Sequence, residues 1–217
     1  DADYPQILKH IYMPPFVLFY YGDITLTHNP SKCLSIIGSR NPTEYGSKMA
    51  DTLSKELSND FVIVSGMAKG IDGIAHRSAI QTGNKTIAII GSGIDNCYPT
   101  INKDLYLELK AHHLVLSEYF GEIAPDKNHF PLRNRLIAGL SKAILIVEAQ
   151  RQSGTSITAT YALSFSRTVL AVPNRADTNS ACNRLIKEGA VLVETANDVI
   201  EELNQTAFVG KEIQDNR

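Results

Sequence analysis

Long apolar runs and closely spaced cysteines are both missing from this sequence of 217 residues. The longest wholly apolar run, Phe16–Tyr21, is much too short to cross a lipid bilayer, and no signal-like segment is present. The three cysteines, Cys33, Cys97 and Cys182, fit neither a disulfide framework nor a metal site with paired ligands. We therefore expect a cytoplasmic protein with no metal and no membrane partner.

The common nucleotide-binding fingerprints are incomplete or missing as well. The loop Gly91-Ser92-Gly93 begins like a dinucleotide-binding fingerprint but continues without its third glycine. The segment from Gly66 to Gly70 is not followed by the Lys-Ser or Lys-Thr pair of a P-loop. No serine has a histidine and an acid at a spacing that predicts a catalytic triad. These absences disfavour dinucleotide-dependent and P-loop chemistry, and we expect no cofactor.

The overall composition is that of a globular protein. Hydrophobic residues make up 43% of the chain and charged residues 20%, a balance that can fill a sizeable core. A length of 217 residues predicts one large domain, or one domain with an extension. Because the sequence begins at Asp1 rather than with methionine, we expect it to be the core of a longer protein.

Positive charge is concentrated in one part of the chain although the formal net charge is −2. Residues 127–187 contain nine Lys and Arg against two acids, whereas residues 188–217 contain seven acids against two bases. Such a distribution can focus a positive field over one face, which is what an anionic ligand needs. The alternative is that these basic residues are scattered over solvated helices, and the charge count alone does not decide between the two.

Short apolar runs alternate with helical stretches along most of the sequence. The runs are continuously apolar, which is typical of strands covered on both faces, as in parallel sheets. The order predicts an α/β fold with a doubly wound, mostly parallel sheet and helices on both faces. The predicted strands are Val17–Tyr21, Leu34–Ile37, Phe61–Val64, Thr86–Ile90, Leu114–Leu116, Ala143–Val147, Val169–Val172 and Val191–Val193. The predicted helices lie near residues 43–58, 71–82, 101–112, 131–141, 156–166, 180–188 and 196–204.

Composition divides the sequence into three parts. Residues 1–32, which are rich in proline and tyrosine, predict an N-terminal extension packed on the sheet. Residues 33–204 predict the doubly wound core, and residues 205–217 predict a polar tail.

Small and polar residues follow four of the predicted strands, in the loops 38–42, 65–72, 91–93 and 148–155. The carboxyl ends of parallel strands meet at one edge of a sheet, where ligands bind. Glycines let backbone N–H groups approach an anion, serines add hydroxyl donors, and each following helix start adds a partial positive charge. Glycine after one strand is ordinary turn chemistry, but four such loops favour a site for a phosphate-bearing ligand.

The segment Phe130–Arg135 places an arginine on the apolar stripe of a predicted helix. A guanidinium at the position of Arg133 is costly unless it meets an anion. One interpretation is an internal ion pair with Glu118 or Glu148. The other is a phosphate clamp, with Phe130 as a stacking face for a base.

These strings, taken in order from about Tyr4 to about Glu202, resemble the Smf/DprA family. The most specific are Ser65-Gly66-Met67-Ala68 and Phe130-Pro131-Leu132-Arg133-Asn134-Arg135. The other matching residues and strings are Gly38-Ser39-Arg40, Thr43, Tyr45-Gly46, Lys69-Gly70-Ile71-Asp72, Ala75-His76, Thr86-Ile87-Ala88, Gly91-Ser92-Gly93, Asp95, Tyr98-Pro99, Ser117-Glu118, Glu148-Ala149 and Ser153-Gly154.

The resemblance implies a non-enzymatic DNA-processing protein of natural transformation with an extended Rossmann-like core. Such a protein binds single-stranded DNA, forms homodimers and loads the RecA recombinase onto incoming strands. Arg40 and Lys69 would face backbone phosphates, Phe130 would stack on a base, and Arg133 and Arg135 would hold the charge of the groove. The residues that the resemblance assigns to the single-stranded DNA site are Ser39, Arg40, Ser65, Gly66, Met67, Lys69, Gly70, Ser92, Phe130, Arg133, Asn134, Arg135, Ser153, Gly154 and Thr155.

Two departures and one alternative accompany the resemblance. Pro173-Asn174 stands where the family usually has Pro-Gly, and Ser156 stands where an apolar residue is common.

The alternative is a nucleotide-binding protein or a nucleoside-monophosphate phosphoribohydrolase of the same superfamily. Those enzymes carry a glutamate soon after a Gly-Thr loop, but no acid follows Thr155 closely, and only Glu118 or Glu148 could serve from elsewhere. For the dimer interface we expect residues 180–204.

Overall fold

Eight strands and seven α-helices are formed by the part of the chain that the structure describes. The structure, a computed structural model, describes residues 3–151 and 153–215, of which 206–215 are described by their backbone alone. The strands are β1 Phe19–Gly22, β2 Cys33–Ile37, β3 Val62–Ser65, β4 Thr86–Ile89, β5 Leu114–Ser117, β6 Ala143–Ile146, β7 Thr168–Ala171 and β8 Val191–Leu192. The helices are α1 Glu44–Leu57, α2 Ile71–Gln81, α3 Lys103–His112, α4 His129–Leu140, α5 Gly154–Ser164, α6 Ala181–Lys187 and α7 Ala196–Asp215.

All eight strands belong to one sheet in the order β1-β5-β4-β3-β2-β6-β7-β8. Strands β2 to β8 pair in parallel, and β1 pairs antiparallel with β5. The prediction of a Rossmann-like, doubly wound and mostly parallel α/β fold is confirmed. Each predicted strand and each predicted helix has a counterpart in the structure.

The continuous apolar runs are explained by cores on both faces of the sheet. All five residues of β2 are buried. Leu34 and Ile36 point into one core cluster, which α1, α2 and α7 also fill, whereas Cys33 and Ile37 point into the other, which α4, α5 and α6 fill. Successive side chains of a strand alternate between faces, so a strand with helices on both faces is buried at every position and is therefore mostly apolar.

Strand β1 differs from the other strands in environment. It lies at the edge of the sheet, with Phe19 opposite Ser117 in an antiparallel register. Its burial alternates between half-buried and exposed, and Phe16, just before it, is fully exposed. The apolar run 16–21 is therefore not a sign of two covered faces, because an antiparallel edge strand keeps one face in solvent.

The first segment of the chain also packs against the core. Leu8 is fully buried, and Ile11 lies so close to Gly139 of α4 that a Cβ at position 139 would come within 2.6 Å of it. At the other end, α7 continues to Asp215, so the predicted tail 205–217 begins inside this helix. Residues 216 and 217 lie outside the described residues. The division into extension, core and tail stays a prediction.

The sheet order sets the position of the ligand site. Strands β3, β4 and β5 lie on one side of β2, and β6, β7 and β8 lie on the other. The loops that leave β2 and β6 therefore run in opposite directions, which opens a crevice at the carboxyl edge between these two strands. All four predicted loops, those after β2, β3, β4 and β6, contribute lining residues to the cavities at that edge.

Two findings bear on membranes and metals. Within residues 3–151 and 153–215, no helix has both the length and the apolar character that crossing a membrane requires. The same described residues hold no cluster of three or more His, Cys, Asp and Glu side chains that could bind a metal ion.

Candidate functional site

Two cavities adjoin each other at the carboxyl edge of the sheet. The larger has a volume of about 760 Å³ and the smaller of about 240 Å³. Both are bordered by Arg40, Phe130 and Arg133. Eight of the predicted site residues line the larger cavity: Ser39, Arg40, Phe130, Arg133, Asn134, Ser153, Gly154 and Thr155. Two more, Gly66 and Lys69, line the smaller cavity.

Positive charge surrounds the larger cavity. Arg40, Lys127 and Arg133 line it, and Asp72 is the one acid among its described lining residues. Arg40 and Lys127 are exposed, so their charges are available at the mouth of the cavity. This arrangement attracts an anionic ligand.

The loops after β2 and β3 are held together by close backbone contacts. The N–H of Ile71 donates to the carbonyl oxygen of Ser39 over 3.1 Å. Gly70 has φ +83°, and a Cβ at this position would lie 2.3 Å from the same oxygen. Only glycine fits here, so Gly70 serves the contact between the loops. The contact places the exposed Lys69, whose Nζ donates to Asn41 Oδ1 over 3.1 Å, beside the loop after β2.

The Phe130 ring is half-buried between aromatic and cationic neighbours. The guanidinium carbon of Arg40 lies 5.4 Å from the ring centroid, and the Tyr98 ring lies 5.6 Å away at an angle of 34°. A Cβ at Gly91 would lie 2.9 Å from Phe130 Cδ1, so the missing side chain makes room for the ring. The predicted stacking residue is therefore held at the boundary between the two cavities.

Arg133 is a buried cation with an incomplete set of partners. Its Nη1 donates to the carbonyl oxygens of Gly66, over 2.7 Å, and of Ile89. Its Nε is buried and has no hydrogen-bond partner among the described residues. Burial lowers the pKa of Arg133 to about 10, and neighbouring Asp72 opposes that effect. A buried guanidinium with a spare donor is suited to an anion in the adjoining cavity.

Neither glutamate named in the ion-pair interpretation is a partner of Arg133, because both are bonded to other residues. Glu118 forms a two-pronged ion pair with Arg135, at 2.5 and 2.6 Å. Glu148 accepts from the N–H and the hydroxyl of Thr43 at the start of α1. The acid near Arg133 is Asp72, in the first turn of α2. Burial raises the pKa of Asp72, and the positive charge of Arg133 acts against that rise.

The start of α5 borders the larger cavity and carries one buried side-chain oxygen without a partner among the described atoms. The Oγ of Ser153 is buried and has no partner among the described atoms, and Ser153 does not cap the helix with its side chain. Gly154 and Thr155 form the first turn of this helix of 11 residues. Free N–H groups and the helix dipole make such a start a good position for a phosphate. Gln152, in the same loop, lies outside the described residues.

Five predicted site residues border neither cavity: Ser65, Met67, Gly70, Ser92 and Arg135. Ser65 Oγ donates to the carbonyl oxygen of Ile36 over 2.6 Å, and Ser92 Oγ donates to that of Asn96 over 2.8 Å. Met67 is fully buried, and Arg135 is consumed by its ion pair. The expectation that Arg135 holds the charge of the groove is corrected, because its side chain is buried in an ion pair, and Met67 lies in the core next to the site.

Sequence reasoning missed Asp72 and Tyr98, which line the cavities. Both stand in strings that carry the family resemblance. Asp72 also occupies the first turn of the helix after β3, where a short acid is expected to lie near the same edge as the loop residues.

Replacing Gly66 by alanine is expected to destabilise the protein by about 1–3 kcal/mol, as overpacking in a filled site does. The new Cβ would lie 2.6 Å from Asp72 Oδ2 and 2.7 Å from Arg133 Nη1, and so would force both groups to move. Urea unfolding measures the change. Gly154→Ala is the matched control, because no described atom lies within 4 Å of its Cβ position. Equal stability of the two variants would contradict the packing of Asp72 and Arg133 around Gly66.

Comparison with known proteins agrees with this geometry. The family described as DNA recombination-mediator protein A matches residues 1–204. DNA processing protein DprA of Streptococcus pneumoniae is 44% identical over 204 residues, which cover 93% of this chain and 72% of that protein. Its X-ray structure superposes with a TM-score of 0.89 and covers 93% of this chain and 71% of the other. A solved structure of DNA processing protein A from Helicobacter pylori, from work on that protein's single-stranded DNA binding mode, is 33% identical, has a TM-score of 0.86 and covers 93% of both chains.

Proposed function

Because the chain belongs to the DNA recombination-mediator protein A family, we propose that it binds single-stranded DNA in the crevice between β2 and β6 during natural transformation. The observation that carries this proposal is the Phe130 ring, which lies among the cations Arg40 and Arg133 at the boundary of two open cavities. A stacking ring beside a positively charged groove is the combination that single-stranded nucleic acids require.

The charges support binding through the sugar–phosphate backbone. Arg40, Lys69 and Lys127 are exposed around the cavities, and none of the three forms an ion pair with another described residue. Cations without an internal acidic partner can neutralise phosphates at little cost. The spare donors of Arg133 and Ser153 lie deeper and suit a phosphate that enters the larger cavity.

The burial of Phe130 supports a preference for single strands. The ring is half-buried inside the crevice and not raised above the surface. Bases of a duplex are stacked on one another and cannot reach such a ring, whereas the bases of a single strand can turn out and stack on it. The protein therefore needs no base-specific hydrogen bonds to distinguish a single strand from a duplex.

Fluorescence anisotropy of a labelled oligothymidylate, titrated at two salt concentrations, tests the proposal. We expect binding whose log affinity falls with log salt by about 0.7 for each phosphate contact. Unlabelled single strand should displace the probe, and duplex DNA and AMP should not. Salt-independent binding, or displacement by AMP alone, would contradict a single-stranded DNA groove.

A second function class, nucleotide hydrolysis, is favoured by one observation. Asp72 lines the larger cavity, and burial raises the pKa of its carboxyl group, as is common for acids in catalysis. Cleavage of a glycosidic bond needs a carboxyl group beside the bond. Against it, Arg133 and the tight packing around Gly66 hold Asp72 in place. We propose a non-enzymatic protein, and release of free base from AMP would show that the alternative is right.

The assembly belongs to the same proposal. We propose that the protein works in the cytoplasm as a homodimer through residues 180–204 and that it loads RecA onto the bound strand.

A further inference from the structure

The smaller cavity has walls of its own on the far side of the site from α5. Four residues line it that do not line the larger cavity: Gly66, Lys69, Gly91 and Pro99. Its volume of about 240 Å³ is below the roughly 300–1,000 Å³ that encloses a drug-sized ligand. A space of this size accepts one planar ring system such as a nucleobase, and not a whole nucleotide.

The walls of the smaller cavity combine flat apolar surfaces with cations. Tyr98, Pro99 and Phe130 provide ring surfaces, and Lys69 and Arg40 provide the charge. Base-binding surfaces in single-stranded nucleic-acid proteins have this composition, because any base can stack on an aromatic ring while the cations hold the adjoining phosphates.

The Tyr98 side chain makes few interactions within the fold. Its side chain is 42% exposed, and none of the described residues hydrogen-bonds its hydroxyl group. Its ring is tilted by 34° against Phe130, with the centroids 5.6 Å apart. An exposed tyrosine that contributes mainly a ring contact to the folded state is available to contact a ligand.

We propose that the smaller cavity is a second base subsite and that Tyr98 is its stacking residue. The inference rests on the proposed single-stranded DNA function and adds to it. One base enters the larger cavity and the neighbouring base enters the smaller one. Arg40, Tyr98 and Phe130 border both cavities, and we assign the stacking by Tyr98 to the smaller one, so the two bases belong to adjacent nucleotides and the strand turns at the Phe130 ring. Recognition is independent of base identity, because it depends on stacking.

Abasic substitution combined with Tyr98 variants tests the subsite. The probe is the shortest oligothymidylate that binds with full affinity, carrying one abasic residue at each position in turn. In the wild-type protein, two adjacent abasic positions should each weaken binding by about tenfold, the effect of one lost base stack. In Tyr98→Ala, one of these two positions should lose its penalty while the other keeps it. Tyr98→Phe should behave like the wild type, because it keeps the ring.

A control variant and the pattern of affinities distinguish direct stacking by Tyr98 from a supporting role. Tyr20→Ala removes a tyrosine of the same 42% exposure that lines neither cavity, and should leave every affinity unchanged. If Tyr98 merely supported Phe130, Tyr98→Ala would weaken all oligonucleotides by one common factor, and that result would overturn the subsite. Unchanged affinity of Tyr98→Ala would also overturn it while leaving the proposed function intact. Failure of the wild-type protein to bind any oligothymidylate would overturn both proposals.

Discussion

Replacement of Arg133 by methionine is expected to lower the free energy of unfolding by about 3–5 kcal/mol, the usual cost of leaving a buried charge without its partner. Arg133 is 4% exposed, and its Nη1 serves the carbonyl oxygens of Gly66 and Ile89. Without the guanidinium, both oxygens lose a donor and Asp72 remains buried without a neighbouring positive charge. Urea unfolding measures the loss, which is a large share of a typical stability of about 5–15 kcal/mol.

A change of pH and a second substitution test whether the buried Asp72 causes part of this loss of stability. Burial already raises the pKa of Asp72, and removal of Arg133 raises it further. A carboxyl group whose pKa is higher in the folded state destabilises the fold as pH rises, and that penalty disappears when the group is protonated at low pH. The deficit of Arg133→Met should therefore shrink as pH falls. The double variant Arg133→Met/Asp72→Asn should recover part of the lost stability at neutral pH. A deficit that is independent of both changes would show that Asp72 and Arg133 are not coupled.

Replacement of Arg40 and Lys69 together by glutamine is expected to weaken single-stranded DNA binding on the order of 50-fold at about 0.05 M salt. Both side chains are exposed at the mouth of the cavities, and each is expected to neutralise one phosphate. The slope of log affinity against log salt should therefore fall by about 1.4, at about 0.7 for each lost contact. Anisotropy titrations over a range of salt concentrations measure both quantities.

A charge-matched control tests whether the loss of DNA affinity depends on where the two positive charges are removed. Lys32→Gln/Arg77→Gln removes the same two charge types from exposed positions that line neither cavity. Lys32 lies just before β2, at the amino edge of the sheet. This variant should keep the wild-type affinity except for a small long-range effect that salt screens. An equal loss of affinity in both double variants would show that the net charge of the protein attracts DNA and that the crevice does not.

Local patterns were sufficient to predict the architecture. Ala143–Val147 is apolar at every position and Leu34–Ile37 at every position except Ser35, and this pattern predicts strands between two helical layers. Glycine- and serine-rich segments directly after these strands predict where the site lies, because the carboxyl ends of parallel strands share an edge. The run at residues 16–21 has the same apolar character, yet β1 is an antiparallel edge strand. Its partner β5 is nearly one hundred residues away in the sequence, so no local pattern could indicate the pairing.

Some side chains of the site were predicted correctly from the sequence, and others were not. Phe130 was predicted from residue type and position, Arg40 and Ser153 were assigned from the family resemblance, and the structure brings all three to one crevice. The burial of Arg135 and its ion pair with Glu118 could not be predicted from the sequence. Helical periodicity predicts on which face of the helix a side chain lies. It does not predict how far the side chain extends or which acidic residue of a distant segment lies opposite it.

The amino-acid sequence by itself determined the class of fold, the edge of the sheet that carries the site and the family of the chain, because periodicity and short loop strings are local properties. Only the tertiary structure decided which hydrogen-bond donors have a partner within the protein and which do not. Arg133 keeps an Nε without a partner among the described residues, Arg135 is satisfied by Glu118, and Tyr98 meets Phe130 at the boundary of two cavities. Each of these contacts joins separate elements of the fold, and the balance between a buried charge and its partners exists only after those elements have packed.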